Sequence, residues 1–434
     1  MKDAIKMGLR SLIYRRKQYR SLFIVCIFGV AISLFTQSVV TGMISSLKYK
    51  AKVYYGGDFQ FVGGDFYNNQ FTRDENLALV KKVFPNDLVV ERYNFDPDYA
   101  ALYFEGMEVR LRMVKGVDFD AEAEIFKNLN YKEGCADNLR GTNGILISEK
   151  IAETLAVHAG DSVTFLLQNK DKETDTMEVI VKGIFVDSSF FGMYTSYMDI
   201  DFLKKADKYP LNWCNRICIT LKNGEPSEKQ IANYQKELEK SFNMFPIVED
   251  KYDFFDSQAE IEYYDEDDNF TPVYALIKLD ANLESLKVVI DAMNLVSAFI
   301  IVMLIIIIVV GVASTFRVII MKRINEIGIY KAIGMKRRKL SLMILVETIL
   351  LIFSGCIGGF ILSLILVLIS RNLNLSFIPA FDLFLTNGTL APIISFLRFF
   401  VFSLTICVTT AGAVLFAVKK SVRIMPCKAL AVTE

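Results

Sequence analysis

The sequence predicts a membrane protein with four transmembrane α-helices and one large extracytoplasmic α+β domain. Hydrophobic residues make up 53% of the chain, which favours a membrane protein over a soluble enzyme. Most of the excess lies in four long runs. The 240 residues between the first two runs, 48–287, have instead the mixed composition of a folded domain with its own core.

Each of the four runs is long enough for an apolar helix, which needs roughly 20 residues to cross about 30 Å of hydrocarbon. A cleaved signal peptide is the alternative for the first run. We favour a retained anchor, because the run is long and lacks an A-x-A cleavage site. The predicted spans are 21–47, 288–316, 341–370 and 399–418.

The flanking charges predict the orientation of the spans. Segments 1–20, 317–340 and 419–434 carry seven, eight and four basic residues, each against a single acidic one. Segment 48–287 carries 28 basic and 43 acidic residues, a net charge of 28 − 43 = −15. Because basic flanks are retained in the cytoplasm, both termini are predicted inside, and 48–287 and the connection 371–398 outside.

Residues 1–20 place apolar side chains at helical spacing among the basic ones, which predicts an amphipathic helix on the inner leaflet. The alternative is a simple retention signal.

The external segment alternates strand and helix patterns. "DSVTFLLQ" and "TMEVIVKGIFV" are typical of a hairpin, and "SEKQIANYQKELEKSF" of a helix after a turn. The acidic stretch 250–268 is interpreted as a solvated face or connecting arm, since it lacks the D-x-D-x-D-G spacing of a calcium loop. Cys135, Cys214 and Cys218 leave a disulfide and buried free thiols equally open.

Several chemistries find no support in the sequence. It lacks the G-x-x-x-x-G-K-[ST] loop that cradles nucleotide phosphates, and it has one histidine, no H-E-x-x-H and no G-x-S-x-G. We therefore expect a non-catalytic membrane subunit that binds no metal, cofactor or nucleic acid itself.

The third run contains one carboxylate, Glu347, and a glycine-rich face formed by Gly355, Gly358 and Gly359. Glu347 either links this helix to its neighbours by a polar contact or extends to the membrane interface. The glycines predict close packing against another helix, either of this chain or of a second subunit.

The stretch "RINEIGIYKAIGMKRRKLSLMILVETILLIFSGCIGGFILSL" closely resembles the signature region of MacB/FtsX-type ABC transporter permeases, including the lipoprotein-releasing branch. "GILISEKIAETLAVHAGDSVTF" and the tail "AVKKSVRIMPCKALA" are similar to weaker patterns of that family. The resemblance implies a MacB-type periplasmic core-like external domain in a bacterial inner membrane protein.

The resemblance further implies that segment 317–340 couples the chain to a separate ABC ATPase, present in two copies, which binds ATP and Mg. It also implies a second permease subunit, identical or paralogous, and an extracytoplasmic carrier or adaptor protein as a further partner. Isoleucines of the segment would enter a groove on the ATPase, and its glycines would permit a close approach. The residues assigned to coupling are Arg323, Glu326, Ile327, Gly328, Ile329, Lys331, Ala332 and Gly334.

Three functions fit these features. The first is a permease subunit for lipoprotein release or for efflux of a hydrophobic or peptide substrate. The second is a non-transporting mechanotransmission subunit that regulates a cell-wall hydrolase, and the third is an extracytoplasmic sensor.

Overall fold

The computed structural model describes residues 14, 16–64, 70–95, 100–187, 189–264, 271–375, 378, 381–386 and 388–421, without the side chains of 16, 258–264, 331, 337 and 417–421. The chain divides into two compact units. The helical unit lies within Met1–Met43, Ile290–Asn374 and Thr389–Glu434, and the sheet unit within Ile44–Val289 and Leu375–Gly388. The predicted helix over 1–20 lies largely outside the described residues, as do positions 422–434 of the predicted tail and 265–268 of the acidic stretch.

Twelve α-helices occur in the described residues. Helices α1 to α12 are Arg16–Tyr55, Arg73–Val83, Ala123–Lys127, Glu149–Leu155, Ile200–Ala206, Glu228–Leu238, Lys251–Tyr264, Leu279–Asn282, Glu284–Lys322, Ile324–Ala332, Arg337–Arg371 and Phe396–Ser421.

Four of these helices, α1, α9, α11 and α12, are long and apolar enough to cross a membrane, which confirms the four predicted apolar helices. Helix α1 continues eight residues past the end of its predicted span. Its flanking sequence contains neither proline nor glycine until Gly56, where the backbone takes φ +95° and the helix stops.

The core of the helical unit includes a stripe along α1 at helical spacing. Its members, each 6% exposed or less, are Tyr19, Leu22, Cys26, Val30 and Leu34. They pack with apolar side chains of α9, α11 and α12, so one face of α1 is buried along about four turns.

The sheet unit is an α+β domain, as predicted. It is built on a 12-stranded sheet. Its spatial order is β14-β1-β13-β3-β6-β11-β8-β10-β9-β4-β5, with β7 paired to β10, and β2 and β12 form a separate pair. Strands β1 to β14 are Phe59–Gly64, Phe71–Thr72, Leu88–Phe95, Ala101–Phe104, Met107–Arg110, Met113–Val117, Tyr131–Gly134, Gly144–Ser148, Ser162–Gln168, Thr174–Phe185, Thr195–Asp199, Trp213–Cys214, Ile217–Thr220 and Val273–Lys278.

Local sequence rules account for several of these elements. Strands β9 and β10 form the antiparallel hairpin expected from their patterns. Helix α6 begins after Ser227, whose backbone N–H donates to the side chain of Gln230 at 2.8 Å in a capping box. The parallel pairs β6–β11 and β8–β10 join strands far apart in sequence, and no local pattern predicts them.

Two large apolar clusters lie in the sheet unit. One is built around Ile145, Val163 and Phe165, and the other around Phe61 and Ile219. The acidic stretch forms helix α7 and contributes the fully buried ring of Phe254, so part of this stretch belongs to the folded domain. All three cysteines of the sheet unit are free: Cys135 is exposed, and Cys214 and Cys218 are buried.

The last turn of α1 is held within the sheet unit by a buried arginine. Arg92 of β3 is fully buried, and its Nη1 donates to the backbone carbonyl of Val53 at 2.6 Å. Its Nε donates to Oε1 of Glu122 at 2.9 Å. The guanidinium therefore satisfies a carbonyl that has no partner within the helix, and its charge is favourable at the helix C-terminus.

Candidate functional site

The candidate site is the segment that joins α9 to α11. Helix α10 occupies its centre, and the turn that follows it contains Gly334, which has φ +91°. The N–H of Met335 donates to the carbonyl of Tyr330 at 3.0 Å, the bond expected when a left-handed glycine terminates a helix. The segment is therefore a short helix with a defined end.

A buried polar cluster fixes the start of this segment. Nη1 of Arg323 donates to Oε2 of Glu347 at 2.8 Å, and the hydroxyl of Tyr19 donates to the same oxygen at 3.1 Å. Arg323 and Glu347 are 5% and 1% exposed, and Glu326 approaches the Nε of Arg323 at 3.4 Å. Glu347 thus makes the polar contact between helices that was one of the two predictions for it.

The geometry of this cluster explains how it holds α1, α10 and α11 together. Removing either member of a buried ion pair leaves an uncompensated charge, so the pair resists separation of the elements that carry it. Tyr19 adds a contact from the first turns of α1, where its ring lies 5.8 Å from that of Phe316.

Helix α10 presents two different faces. Ile327 is 6% exposed and packs in the core of the helical unit, and Gly328 is also buried. Ile329 and Ile333 are 49% and 79% exposed, and Ala332 is exposed beside them. Since a helix repeats every 3.6 residues, these three side chains lie along one outward stripe.

The predicted coupling residues therefore separate into two groups. We expected Ile327 to enter a groove on the partner and assigned Arg323 to coupling, but both side chains lie inside the helical unit because the helical repeat turns them towards α1 and α11. Glu326 is half-exposed and Gly334 is exposed, while the side chain of Lys331 lies outside the described residues. The outward members of the predicted set are thus Ile329, Ala332 and Gly334, and Ile333, one of the isoleucines expected to enter the groove, is exposed beside them.

The glycine-rich face of α11 packs against α1 of the same chain. An added Cβ would lie 2.8 Å from the Cβ of Cys26 at Gly355, and 2.7 Å from the Cβ of Val30 at Gly359. At Gly358 it would lie 3.0 Å from the side chain of Ile27. Within the chain, the neighbour that the glycines predicted is therefore the first span.

Sequence reasoning missed Tyr19 as a member of the polar cluster. The spacing of Tyr19, Leu22, Cys26 and Val30 could have indicated that Tyr19 lies on the apolar face of the first helix. Nothing in the sequence indicated that this hydroxyl meets a carboxylate 328 residues away.

Comparison with known families identifies this region. Residues 298–426, which include α10 and α11, match the family model described as FtsX-like permease C-terminal. Residues 298–426 are thus similar to an FtsX-like permease C-terminal domain. This match confirms the resemblance found in the signature stretch and supports a permease-type subunit.

The match to the FtsX-like model covers the C-terminal part of the chain, and a comparison with solved structures adds a second similarity. The periplasmic region of MacB from Actinobacillus actinomycetemcomitans is similar at 11% sequence identity and a TM-score of 0.32. The alignment covers 54% of this chain and 94% of that one. A comparison with curated protein sequences finds no match.

The region that matches the FtsX-like family model combines an exposed apolar stripe on α10 with a buried ion pair at the base of that helix. In the part of the chain that the structure describes, no group of three or more histidine, cysteine or acidic side chains is placed to hold a metal ion.

Proposed function

We propose that this chain is the permease subunit of an ABC transporter that couples ATP hydrolysis by a separate ATPase to movement of its extracytoplasmic domain. Residues 317–340 lie on the cytoplasmic side in this proposal, and the outward stripe of α10 enters a groove on the ATPase. ATP and Mg are bound by that partner. The complex contains two ATPase subunits and a second permease subunit.

The two-faced character of α10 is the observation that carries this proposal. A helix end that only satisfied membrane topology would need basic residues but not the exposed side chains of Ile329 and Ile333. Exposed apolar side chains on a short helix with a fixed base are typical of a protein-docking surface.

The buried pair of Arg323 and Glu347 supplies the second requirement of coupling. A force applied to α10 is useful only if α10 moves together with the membrane helices. The 2.8 Å contact joins its base to α11, and Tyr19 joins the same carboxylate to α1. Closure of the ATPase would therefore move these helices as a group.

For the transported molecule we propose lipoprotein release, or efflux of a hydrophobic or peptide substrate, from the outer face of the membrane. A single large external domain on four spans suits extraction at the membrane surface, where a carrier or adaptor would receive the cargo.

The test is retention of the ATPase by variants of the outward stripe. We expect Ile333→Asp to reduce affinity for the ATPase by roughly thirtyfold, because loss of a buried anchor at an interface costs about 2 kcal/mol. Ile333→Val keeps the apolar contact and is the matched control. Charge reversal at the half-exposed Glu326 should also weaken binding.

Co-purification from membranes, with the melting temperature of each variant as a measure of folding, provides the readout. Undiminished retention of the ATPase by a folded Ile333→Asp chain would reject the proposed docking surface. ATP hydrolysis by the purified chain alone would reject the assignment of the chemistry to a partner.

A further inference from the structure

Three positively charged side chains of the sheet unit meet near the end of α1 and form no ion pair with any described carboxylate. Lys115 comes from β6, Arg216 from the segment between β12 and β13, and Lys251 from the start of α7. The ammonium of Lys115 lies 4.0 Å from the centre of the Tyr54 ring and 5.9 Å from that of the Tyr55 ring. The ammonium of Lys251 lies 5.6 Å from the centre of the same Tyr55 ring. Two ammonium groups therefore approach one aromatic ring at the last turn of α1.

The hydrogen-bond donors of this cluster are largely unused. Among the described residues, the Lys115 ammonium has one acceptor, the amide oxygen of Asn94 at 3.3 Å, although an ammonium carries three donors. Lys115 is 1% exposed, so bulk water does not reach the other donors. Nη1 of Arg216 donates to Oε1 of Gln60 at 3.1 Å, but its buried Nε donates to no described residue. Because buried donors in native proteins nearly always have a partner, these groups indicate a further acceptor.

The neighbouring carboxylates already have other partners. Glu122 accepts from the Nε of Arg92 at 2.9 Å. Asp250 directly precedes α7, where its Oδ1 accepts from the backbone N–H of Tyr252 at 3.0 Å, and it does not come within 4 Å of the Lys251 ammonium. The described carboxylates therefore leave the positive charge of the cluster uncompensated.

The end of α1 does not account for three additional cations. A helix C-terminus is equivalent to about half a negative charge, and the guanidinium of Arg92 already donates to the carbonyl of Val53 there. Burial lowers the pKa of Lys115, Arg216 and Lys251, and the charge of Arg216 lowers the pKa of both lysines further. Cations that are held together against burial and mutual repulsion are expected where an anion binds.

We propose that Lys115, Arg216 and Lys251 form a binding site for an oxyanion of the phosphate type. Arginine and lysine suit such a ligand because they donate several charge-assisted hydrogen bonds to its oxygens. Arg216 and Lys251 are half-buried, so an oxyanion can reach them from solvent, and the buried Lys115 adds its charge. Inorganic phosphate and the phosphomonoester head group of a lipid share this chemistry. The inference goes beyond the proposed function and does not depend on it.

The experiment measures the melting temperature of the full chain in a non-ionic detergent, followed by the fluorescence of Trp213. Inorganic phosphate replaces chloride stepwise at constant ionic strength. We expect a saturable increase in melting temperature, because a ligand that binds only the folded state stabilises that state. Adding sodium chloride alone measures the effect of screening, which should be much smaller.

Two variants test the assignment of the residues. Lys115→Met should weaken phosphate binding by roughly tenfold, as expected for the loss of a charge-assisted hydrogen bond. It should also raise the melting temperature without phosphate, since it removes a buried unpaired charge, whereas loss of a merely structural lysine would lower it. Lys251→Met changes a half-buried position and should weaken phosphate binding in a chain that still folds. Lys236→Met, at an exposed position of α6, is the matched control and should respond to phosphate as the parent does.

A second titration distinguishes the two sources of the oxyanion. Dihexanoylphosphatidic acid carries a phosphomonoester on a short-chain lipid. Tighter binding of this lipid than of inorganic phosphate would assign the site to a lipid head group, and equal or weaker binding would assign it to a free oxyanion.

Equal increases in melting temperature with phosphate and with chloride would overturn the proposal. So would an unchanged phosphate dependence in both Lys115→Met and Lys251→Met. Ile333→Asp, which tests docking of the ATPase, should keep the full response to phosphate, so the two proposals can fail independently.

Discussion

Glu347 is the residue on which the helical unit depends most directly, because it meets Arg323 and Tyr19 where water is excluded. We expect Glu347→Leu to reduce the free energy of unfolding by about 3 kcal/mol, since it leaves the buried guanidinium with only Glu326 as a charged neighbour. Denaturant unfolding in detergent micelles measures this effect.

The double variant Arg323→Met/Glu347→Leu is the matched control for that experiment. It replaces both charges by apolar groups of similar size, and should recover most of the lost stability. Equal stability of the single and double variants would contradict the predicted cost of leaving Arg323 buried without Glu347.

Lys115 offers a residue-scale test in the sheet unit. Its side chain is 1% exposed, and its ammonium lies 4.0 Å from the centre of the Tyr54 ring and 3.3 Å from the amide oxygen of Asn94. Burial, together with the positive charges of Arg216, Arg92 and Lys251, lowers the pKa of Lys115 well below its usual range. Arg92 is itself paired with Glu122, as described above.

The sign of the pH dependence follows from this lowered pKa. Between the folded pKa and the ordinary lysine pKa of about 10.4, the unfolded chain binds the proton that the folded chain has released. Stability of the sheet unit therefore rises with pH through this window and falls as pH is lowered. We expect Lys115→Met to remove this contribution.

Thermal unfolding followed by fluorescence of Trp213, the only tryptophan in the chain, reports on the sheet unit. As pH rises towards the ordinary lysine pKa of about 10.4, the melting temperature of the parent should increase more steeply than that of Lys115→Met. Identical slopes would contradict the predicted coupling between Lys115 ionisation and folding.

At residue scale, the sequence indicated which positions are unusual but not their partners. Glu347 was conspicuous because a carboxylate within an apolar run is expensive. Its contacts come from 24 and 328 residues away, and such long-range pairs leave no trace in a local pattern. Arg92 was not noticed, since an arginine in a short strand is ordinarily solvated.

At the scale of elements, the contact of α1 with α11 depends on the absence of side chains. At Gly359 an added Cβ would lie 2.7 Å from the Cβ of Val30 and 2.9 Å from the backbone oxygen of Ile27. A backbone oxygen cannot move aside by side-chain rotation. We expect Gly359→Ala to destabilise the helical unit by about 1–3 kcal/mol through overpacking.

Gly412 of α12 supplies the control, because an added Cβ there meets no atom within 4 Å in the described structure. Gly412→Ala should be neutral or slightly stabilising, as alanine favours a helix by up to about 1 kcal/mol. Melting temperatures of the two variants in nanodiscs give the comparison. Equal stabilities would show that α1 and α11 can separate without cost.

Elements with strong local signals were predictable, and weaker ones were not. The four apolar helices, the β9–β10 hairpin and helix α6 follow from run length, alternation and capping. Helices α2 and α5 were missed because each directly follows a strand, without the turn signal that precedes α6. The two faces of α10 could be assigned only from the structure. Its segment contains four isoleucines scattered among polar and small residues, and their spacing alone does not show which of them are buried.

At the scale of the whole molecule, the charge distribution predicts a topology that labelling can test. Cys135 is exposed in the sheet unit, whereas the other described cysteines are buried or half-buried. In a chain carrying Cys427→Ser, a membrane-impermeant maleimide added to intact cells should label Cys135. Labelling of an Ile333→Cys, Cys135→Ser chain should require permeabilised cells.

The paired positions serve as controls for each other, because each should react from one side only. Reaction of Ile333→Cys in intact cells would place α10 outside and remove the basis for ATPase docking.

The order of strands in the 12-stranded sheet could not be predicted from the sequence. Its parallel pairs join strands that are separated by long connections, and no local pattern reports such pairs.

The anchoring of the last turn of α1 by Arg92 has a mechanical consequence. A helix end exposed to water frays, and a force along the helix axis then unwinds its last turn. Here the carbonyl of Val53 is held at 2.6 Å by a guanidinium that is itself fixed to Glu122. The buried guanidinium therefore ties the last turn of α1 to strand β3, and this end of the helix resists unwinding.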